Sequence, residues 1–348
     1  MGYQPTNPNY LNAIFSTIHR NIQPKVVVQN LRQSKPLLKW IMTNCAQPQP
    51  DTPIIQNVQF TAYNSAVQFV DYSGAFVTGI NNVPLTTAQF NIAAVVNPIT
   101  TSIFEMSKFQ GAGRQLQIID VIKQRLIDNA LSFMEVLNNS VMGTSTQVPA
   151  GLYVQPASNA LLADGLKDAL DNGTLSSTYG GLSRSTYPAW NAFQFTNTQS
   201  GIPAWQQLYY YLSKFINSQN GRMPDIMVCG QDVFYAVATS MTGIERVLIQ
   251  DINGASLDNR SWDVSTISIG GVPLVVDRHM PSATVYFLNK DDIKLAYNPD
   301  FFMDLINPES LIGNGQIGYV QLFITTFEVY TTRPTSLATL NSAPSVSM

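Results

Sequence analysis

The sequence predicts an α+β fold with a preference for antiparallel sheets, and three observations point there. Residues 53–96 alternate apolar and polar side chains at strand period. Arg114–Leu137 repeats apolar residues at helical period. The rest mixes short strands and helices without a βαβ repeat. A chain of 348 residues holds about two domains, each able to bury a core.

In chain order, turn formers (Pro5, Asn7-Pro8) precede a short helical pattern at Tyr10, Leu11, Ile14, Phe15 and Ile18. An extended piece at Lys25–Val28 and an apolar anchor at Pro36–Trp40 follow. Pieces so short and varied predict an arm that lies on another surface. Val58, Phe60 and Ala62, then Val67 and Phe69, alternate around a turn marked by Gly79 and Asn81-Asn82, the pattern of a long hairpin excursion. Such a ribbon with so little charge is marginal and sticky in water, so a second surface must cover it.

Leu116, Ile119, Ile122, Leu126, Ala130, Phe133 and Leu137 form the stripe of the strongest helix, with Gln117, Asp120, Gln124 and Asp128 opposite. Gly111 and Gly113 precede it, and Asn138-Asn139 with Gly143 ends it. Its predicted length is roughly 36 Å. Asp164–Leu170 reads as a short helix, Trp205–Ile216 as an amphipathic one, Asp225–Cys229 as a buried strand and Val233–Met241 as a further helix. Ile267–Val276 reads as a hairpin around Gly270-Gly271, followed by a strand at Thr284–Leu288. Gln316–Tyr330 is one long strand rich in β-branched and aromatic residues, stopped at Arg333-Pro334, and Ser342–Met348 reads as a loose polar tail.

Composition narrows the function. Only 12% of residues are charged, against about 25% in an average soluble domain, and no lysine or arginine lies between Lys39 and Lys108. Interface cores are poor in charge and rich in aromatics and Met, and this chain has 15 Tyr, 17 Phe and 11 Met. The balance predicts a self-assembling structural protein. Residues 1–50 hold Arg20, Lys25, Arg32, Lys35 and Lys39 and no acid, a charge of +5, while the rest carries −8. A basic arm on an acidic body predicts subunit contact ahead of nucleic-acid contact. The longest apolar runs stop short of the ~18 residues a membrane span needs, and no signal peptide opens the chain.

No active site is predicted. His19 and His279 lie far apart, and Cys45 and Cys229 have neither zinc spacing nor a disulfide pattern, so no metal or cofactor is expected. Asp277-Arg278-His279 reads as a strand exit held by a local Asp–Arg pair, and Asp291-Asp292, Asp300 and Asp304 read as solvated turn residues. Gly313-Asn-Gly315-Gln-Ile-Gly318 matches the dinucleotide fingerprint in letters only. It precedes a strand, where the fingerprint needs a strand before it and a helix after it. The sequence therefore predicts no catalytic, cofactor-binding or metal residues and no enzyme.

The order of parts and several motifs carry a resemblance. Gly151-Leu152, then Tyr179-Gly-Gly-Leu-Ser-Arg184 with Tyr187 and Trp190, is one such segment. Pro224–Val228 with Asp232, Phe234 and Tyr235, and Gly271–Asp277 with Tyr286-Phe-Leu288, are two more. Over roughly residues 20–335 the chain resembles the major capsid proteins of tailed bacteriophages with the Hong Kong 97-like fold. The resemblance implies an N-terminal arm at 1–54, an extended β-hairpin loop at 55–105, and a peripheral domain with the long spine helix at 106–148. It further implies an axial domain at 149–283, strands of 284–332 returning to the peripheral domain, and a tail at 333–348. Such subunits form pentamers and hexamers of an icosahedral shell around double-stranded DNA, assembled in the host cytoplasm. The implied partners are other copies of the chain, separate scaffolding and portal proteins, a decoration protein, and DNA contacted non-specifically, with no membrane. An encapsulin-like nanocompartment shell is the alternative. Some members crosslink subunits through a lysine in the extended loop; residues 55–105 have none. No long helical scaffolding segment stands ahead of the arm in this sequence, which implies either a separate scaffolding protein or a removed piece.

Overall fold

The computed structural model describes residues 35–49, 53–58, 85–102, 115–143, 163–219, 221–241, 251–252, 255–256, 267–306, 309–310 and 318–346. The predicted elements at Tyr10–Ile18 and Lys25–Val28, the middle of the hairpin excursion, Gly151-Leu152 and most of the Gly313–Gly318 stretch lie outside them.

Helix α1 (Pro36–Asn44) begins on a proline, which loses no hydrogen bond in a first turn, and buries Leu37, Leu38, Trp40 and Ile41. Strand β1 (Ala46–Pro48) follows and pairs in parallel with β14 (Ile293–Tyr297). Residues 35–49 are thus packed into the body of the chain, which differs from their expected place in an arm of 1–54. Four apolar side chains on one short helix are enough to hold it on a core.

Strands β2 (Ile54–Val58) and β3 (Thr86–Phe90) form an antiparallel ribbon, with Ile54 opposite Phe90 and Val58 opposite Thr86. Strand β4 (Ala93–Ser102) does not continue it. It pairs antiparallel with the long strand β17 (Gly318–Thr331), from Ala93 opposite Phe327 to Ser102 opposite Gly318. Residues 93–102, expected within an extended loop of 55–105, thus belong to the sheet of β17. The physical reason is alternation: Ala93 and Ile99 are buried on the same side while Ala94, Val96, Pro98 and Thr100 are exposed. Pro98, without an N–H, suits a strand paired on one edge.

Helix α2 (Gln115–Met142) runs 28 residues, about 42 Å. Phe133, Met134, Leu137 and Val141 are buried at helical spacing, with Gln124 and Asp128 exposed. It lies on β4, where the Asn97 amide donates to Asn129 Oδ1 at 2.9 Å and Arg125 to the Thr100 carbonyl at 3.2 Å. Beyond the Phe133 ring stands Phe323 of β17, edge-on at 4.7 Å. The chain returns to this helix end through Gly165, where a Cβ would lie 2.2 Å from the Gly143 carbonyl oxygen. Only glycine fits. Helix α3 (Leu166–Ala169) and the two-residue strands β5 (Thr178–Tyr179) and β6 (Leu182–Ser183) follow.

Two six-stranded sheets carry the fold. In the first, β17 pairs with β4 and in turn with β14, β15 (Asp304–Leu305) and β16 (Glu309–Ser310), with β1 beyond β14. The second runs β11 (Ile267–Ile269), β12 (Val272–Val276), β8 (Ile226–Cys229), β13 (Val285–Leu288), β18 (Ala338–Asn341), β7 (Phe193–Thr196). A separate short pair joins β9 (Asp251–Ile252) to β10 (Ala255–Ser256). In the second sheet β12 and β8, and β18 and β7, are parallel, and the other pairings are antiparallel.

This second sheet is buried on both faces, which explains its unbroken apolar runs. Met227, Cys229, Leu274 and Phe287 pack against α4 (Ala204–Ser218) and α5 (Gln231–Ser240) through Leu208, Leu212, Phe215, Val233 and Val237. Ile226, Val228, Val275 and Leu288 face the core shared with α1 and α2. Two assignments are corrected here. Val285–Leu288 joins this sheet rather than the sheet of β17, so the strands of 284–332 do not all return together. The tail of 333–348 contains β18, seated between β13 and β7, and Ala343 beyond it is buried.

Candidate assembly interface and buried polar junctions

The β2–β3 ribbon has two unlike faces. Ile54, Val58, Ala88 and Phe90 point into the body and are buried. Ile55, Asn57, Thr87 and Gln89 are exposed on the outside, Ile55 at 61% and the adjoining Leu85 at 65%. No charge lies on that outer face. Further exposed apolar surface comes from Tyr209 and Tyr210 of α4 and Tyr235 of α5. Exposed aromatics on helices with few charges are the surface an interface core uses.

The Tyr179–Trp190 motif builds a buried junction beside the ribbon. Arg184 is 2% exposed and donates to the carbonyls of Asp168, Asp171 and Trp190, with its guanidinium 5.0 Å from the Tyr179 ring centre. The Asp171 carboxylate accepts from the amides of Gly173, Leu175 and Ser176 and from the Thr174 hydroxyl. Burial alone would raise its pKa; those four donors outweigh burial and lower it. Trp190 Nε1 donates to the Tyr179 carbonyl at 3.0 Å, and the Thr331 amide donates to the Tyr179 hydroxyl at 3.0 Å. Sequence reading noted the motif; its role as a loop clasp appears only in three dimensions.

A second junction ties α1, α2 and the end of β12. Lys35 Nζ lies 2.8 Å from Glu135 Oε2, and Glu135 Oε1 lies 2.5 Å from His279 Nε2. The other ring nitrogen of His279 faces the Asn138 amide nitrogen at 2.7 Å and Asp277 Oδ1 at 3.4 Å. The bond to Asp277, then that to Glu135, raises the imidazole pKa against the effect of burial. Burial works to raise Glu135 as well, and the bonds from Lys35 and His279 overcome it to hold the carboxylate below its usual range. The expected Asp277–Arg278 pair is corrected: Arg278 is exposed, and Asp277 accepts from the His279 backbone amide at 2.9 Å. With two carboxylates, an amide and a lysine around the imidazole, this group can hold a proton and lock elements together.

Sequence reading missed Glu328. It sits within β17, is 1% exposed, and its Oε1 accepts from the Asp164 amide at 3.0 Å. Burial, and after it the nearby Asp164 charge, raises its pKa well above the ordinary carboxylate value. The available signal was an acid inside a strand of apolar and β-branched residues. Asp291 and Asp292 are not simply solvated, since Arg222 reaches both at 2.9 Å. Asp300 donates its amide to Asn298 in a short 3₁₀ turn. Cys45 and Cys229 are buried free thiols, and burial pushes Cys45 up to about 12 and Cys229 higher still. Among the described residues, no group of three or more His, Cys, Asp and Glu side chains has a metal-holding arrangement, and no helix is long and apolar enough to cross a membrane.

No protein-family model matches the chain, and no curated protein matches it in sequence. Solved structures do match in fold. The cyanophage A-1(L) capsid subunit superposes with a TM-score of 0.59 at 12% identity, covering 90% of this chain and 93% of that one. The holo-SrpI encapsulin of Synechococcus elongatus follows with a TM-score of 0.52 at 10% identity, 88% of each chain being covered. The capsid protein of a native GTA particle gives 0.50 at 10% identity, with 87% of this chain and 89% of that one covered. The chain has the mixed α+β fold of these shell-forming subunits.

Proposed function

We propose that this chain is the major capsid protein of a tailed bacteriophage, with the Hong Kong 97-like fold. It self-assembles into pentamers and hexamers that close an icosahedral shell around double-stranded DNA. The fold match to the cyanophage capsid subunit over 90% of the chain carries this reading. The uncharged outer face of the β2–β3 ribbon supports it, since that face suits a neighbouring subunit.

In this reading α2 is the spine helix of the peripheral domain and the β17 sheet rests beside it. The second sheet with α4 and α5 is the axial domain, extended at its centre by β13 and β18. The β2–β3 ribbon is the root of the extended loop. The subunit resides in the virion after assembly in the host cytoplasm, with separate scaffolding and portal proteins and a decoration protein as partners.

Negative-stain electron microscopy with light scattering of the purified protein tests this. Closed shells or ring-shaped capsomers are expected, and a monodisperse species at 38.3 kDa at every salt and protein concentration overturns it. The encapsulin likeness favours one second reading, a nanocompartment shell. Particle contents decide between them: nuclease-protected DNA supports the capsid, and a single co-purifying protein cargo supports the compartment.

A further inference from the structure

The geometry points to Gly180 as a positioning residue: with Phe90 it forms a socket that fixes the direction in which the ribbon leaves the body. The ribbon is held at two points. On β3, the Phe90 ring is 1% exposed, stacked on Tyr330 at 5.0 Å and edge-on to Tyr179 at 5.2 Å. The Gln89 amide beside it donates to the Gly180 carbonyl at 2.9 Å. On β2, Gln56 Nε2 donates to the Thr332 carbonyl at 2.8 Å, at the end of β17.

Gly180 is what lets the ring in. A Cβ there would lie 2.7 Å from Phe90 Cζ, 3.0 Å from Cε1 and 3.2 Å from the Ala88 Cβ. Its neighbour provides a built-in control. Gly181 also has a left-handed backbone, φ +76° against +56° for Gly180, yet a Cβ on it meets nothing within 4 Å. An alanine at either site bears left-handed strain; only at 180 does it also push the ring out. The socket is then rigidly tied to the body, because Arg184, Trp190 and Tyr179 bind the same turn to Asp168, Asp171 and Thr331. A ribbon clamped at both strands can turn only together with the body, so its contact with any neighbour is set at this point.

The clamp itself stands on this chain alone. Its effect on particles rests on the shell reading above, so the test has two arms. In unassembled subunits, amide exchange at 54–58 and 86–90 is expected to speed up roughly tenfold in Gly180→Ala and to stay near wild type in Gly181→Ala. Phe90→Leu is expected to free the ribbon as well. Gly180→Ala/Phe90→Leu should exchange no faster than Phe90→Leu alone, because the methyl takes the space the ring vacates. In assembly reactions well below the unfolding temperature, wild type and Gly181→Ala should give closed shells of one diameter, and Gly180→Ala open sheets or mixed diameters.

Equal exchange in the two alanine variants, or additive effects in the double variant, overturns the clamp. A freed ribbon with wild-type particles overturns its positioning role. Wild type that stays a 38.3 kDa monomer at every salt and protein concentration refutes the shell reading instead, and the exchange arm still decides the clamp. If Gly180→Ala does not fold, Phe90→Leu alone carries both arms.

Discussion

Glu328 shows how a single residue ties the fold to pH. Its folded pKa is raised, so the folded chain keeps a proton that the unfolded chain releases above the ordinary glutamate value of 4.5. The stability this proton contributes is full below that pH and is lost as pH rises through the raised value. Glu328→Gln keeps an acceptor for the Asp164 amide and has no proton to lose. Its melting temperature should therefore lack the decline that wild type shows above pH 4.5, as read by circular dichroism across pH. Parallel curves for the two proteins would disprove it. Arg184 makes a different demand, for one side chain that donates to several carbonyls at once. Arg184→Met takes a buried donor from the carbonyls of Asp168, Asp171 and Trp190, the first two of which keep a backbone amide, and should cost about 1–3 kcal/mol of the roughly 5–15 kcal/mol that holds a domain. Arg184→Lys should not restore it, since one ammonium cannot span three acceptors set for a planar fork. Urea unfolding of both variants measures this. At this scale the sequence was half legible: Arg184 and Trp190 stood out within a motif, and Asp277 and His279 as a polar strand exit. Their partners Glu135, Lys35 and Asn138 did not, because they come from helices far along the chain and no local pattern links them.

Local period, by contrast, marked most elements. The α2 stripe was readable from its spacing, and Phe133 and Leu137 are buried where it puts them; Leu126, in mid-stripe, lies outside the described side chains. Leu137→Asp should abolish soluble subunit, since an unpaired carboxylate in that core costs several kcal/mol or more. Normal soluble yield would mean that this helix face is not held against the core. What local pattern could not give was partnership. The alternation of β4 looked like one more limb of the hairpin, and only pairing with β17, more than two hundred residues away, assigns it to the body. Likewise Ala-Thr-Leu-Asn at 338–341 has no strand signal of its own, yet it supplies the only pairing of β7 among the described residues. Removing residues 338–348 should therefore split the second sheet and yield insoluble chain, while removing 347–348 should be neutral. Soluble, cooperative unfolding of the longer deletion would show β18 to be dispensable.

For the whole molecule, the proposed shell raises the question of what would hold one copy of the chain to the next. The ribbon cannot supply the lysine of an isopeptide link, since no lysine lies between Lys39 and Lys108. A disulfide mesh is ruled out by burial, since Cys45 and Cys229 are 2% and 0% exposed and their thiols resist ionisation. Electrostatic attraction between a basic arm and an acidic neighbour contributes less than the net charges suggest. Lys35, one of the five basic residues of 1–50, is already spent on Glu135 within its own subunit. The remaining attraction is screened over about 8–10 Å at physiological ionic strength. Cohesion then falls mainly to apolar contact, supplied by faces such as Ile55 and Leu85 on the ribbon and Tyr209, Tyr210 and Tyr235 on the second sheet's helices. Two outcomes follow for assembled particles. Raising salt from 0.1 to 1 M shortens the screening length from about 10 to about 3 Å and should loosen them only modestly, whereas mild detergent should disperse them. Boiled in detergent without reductant, they should run as one band near 38.3 kDa. A ladder of dimers, pentamers and hexamers in that gel would require a covalent bond that neither the lysine-free ribbon nor the buried thiols can form.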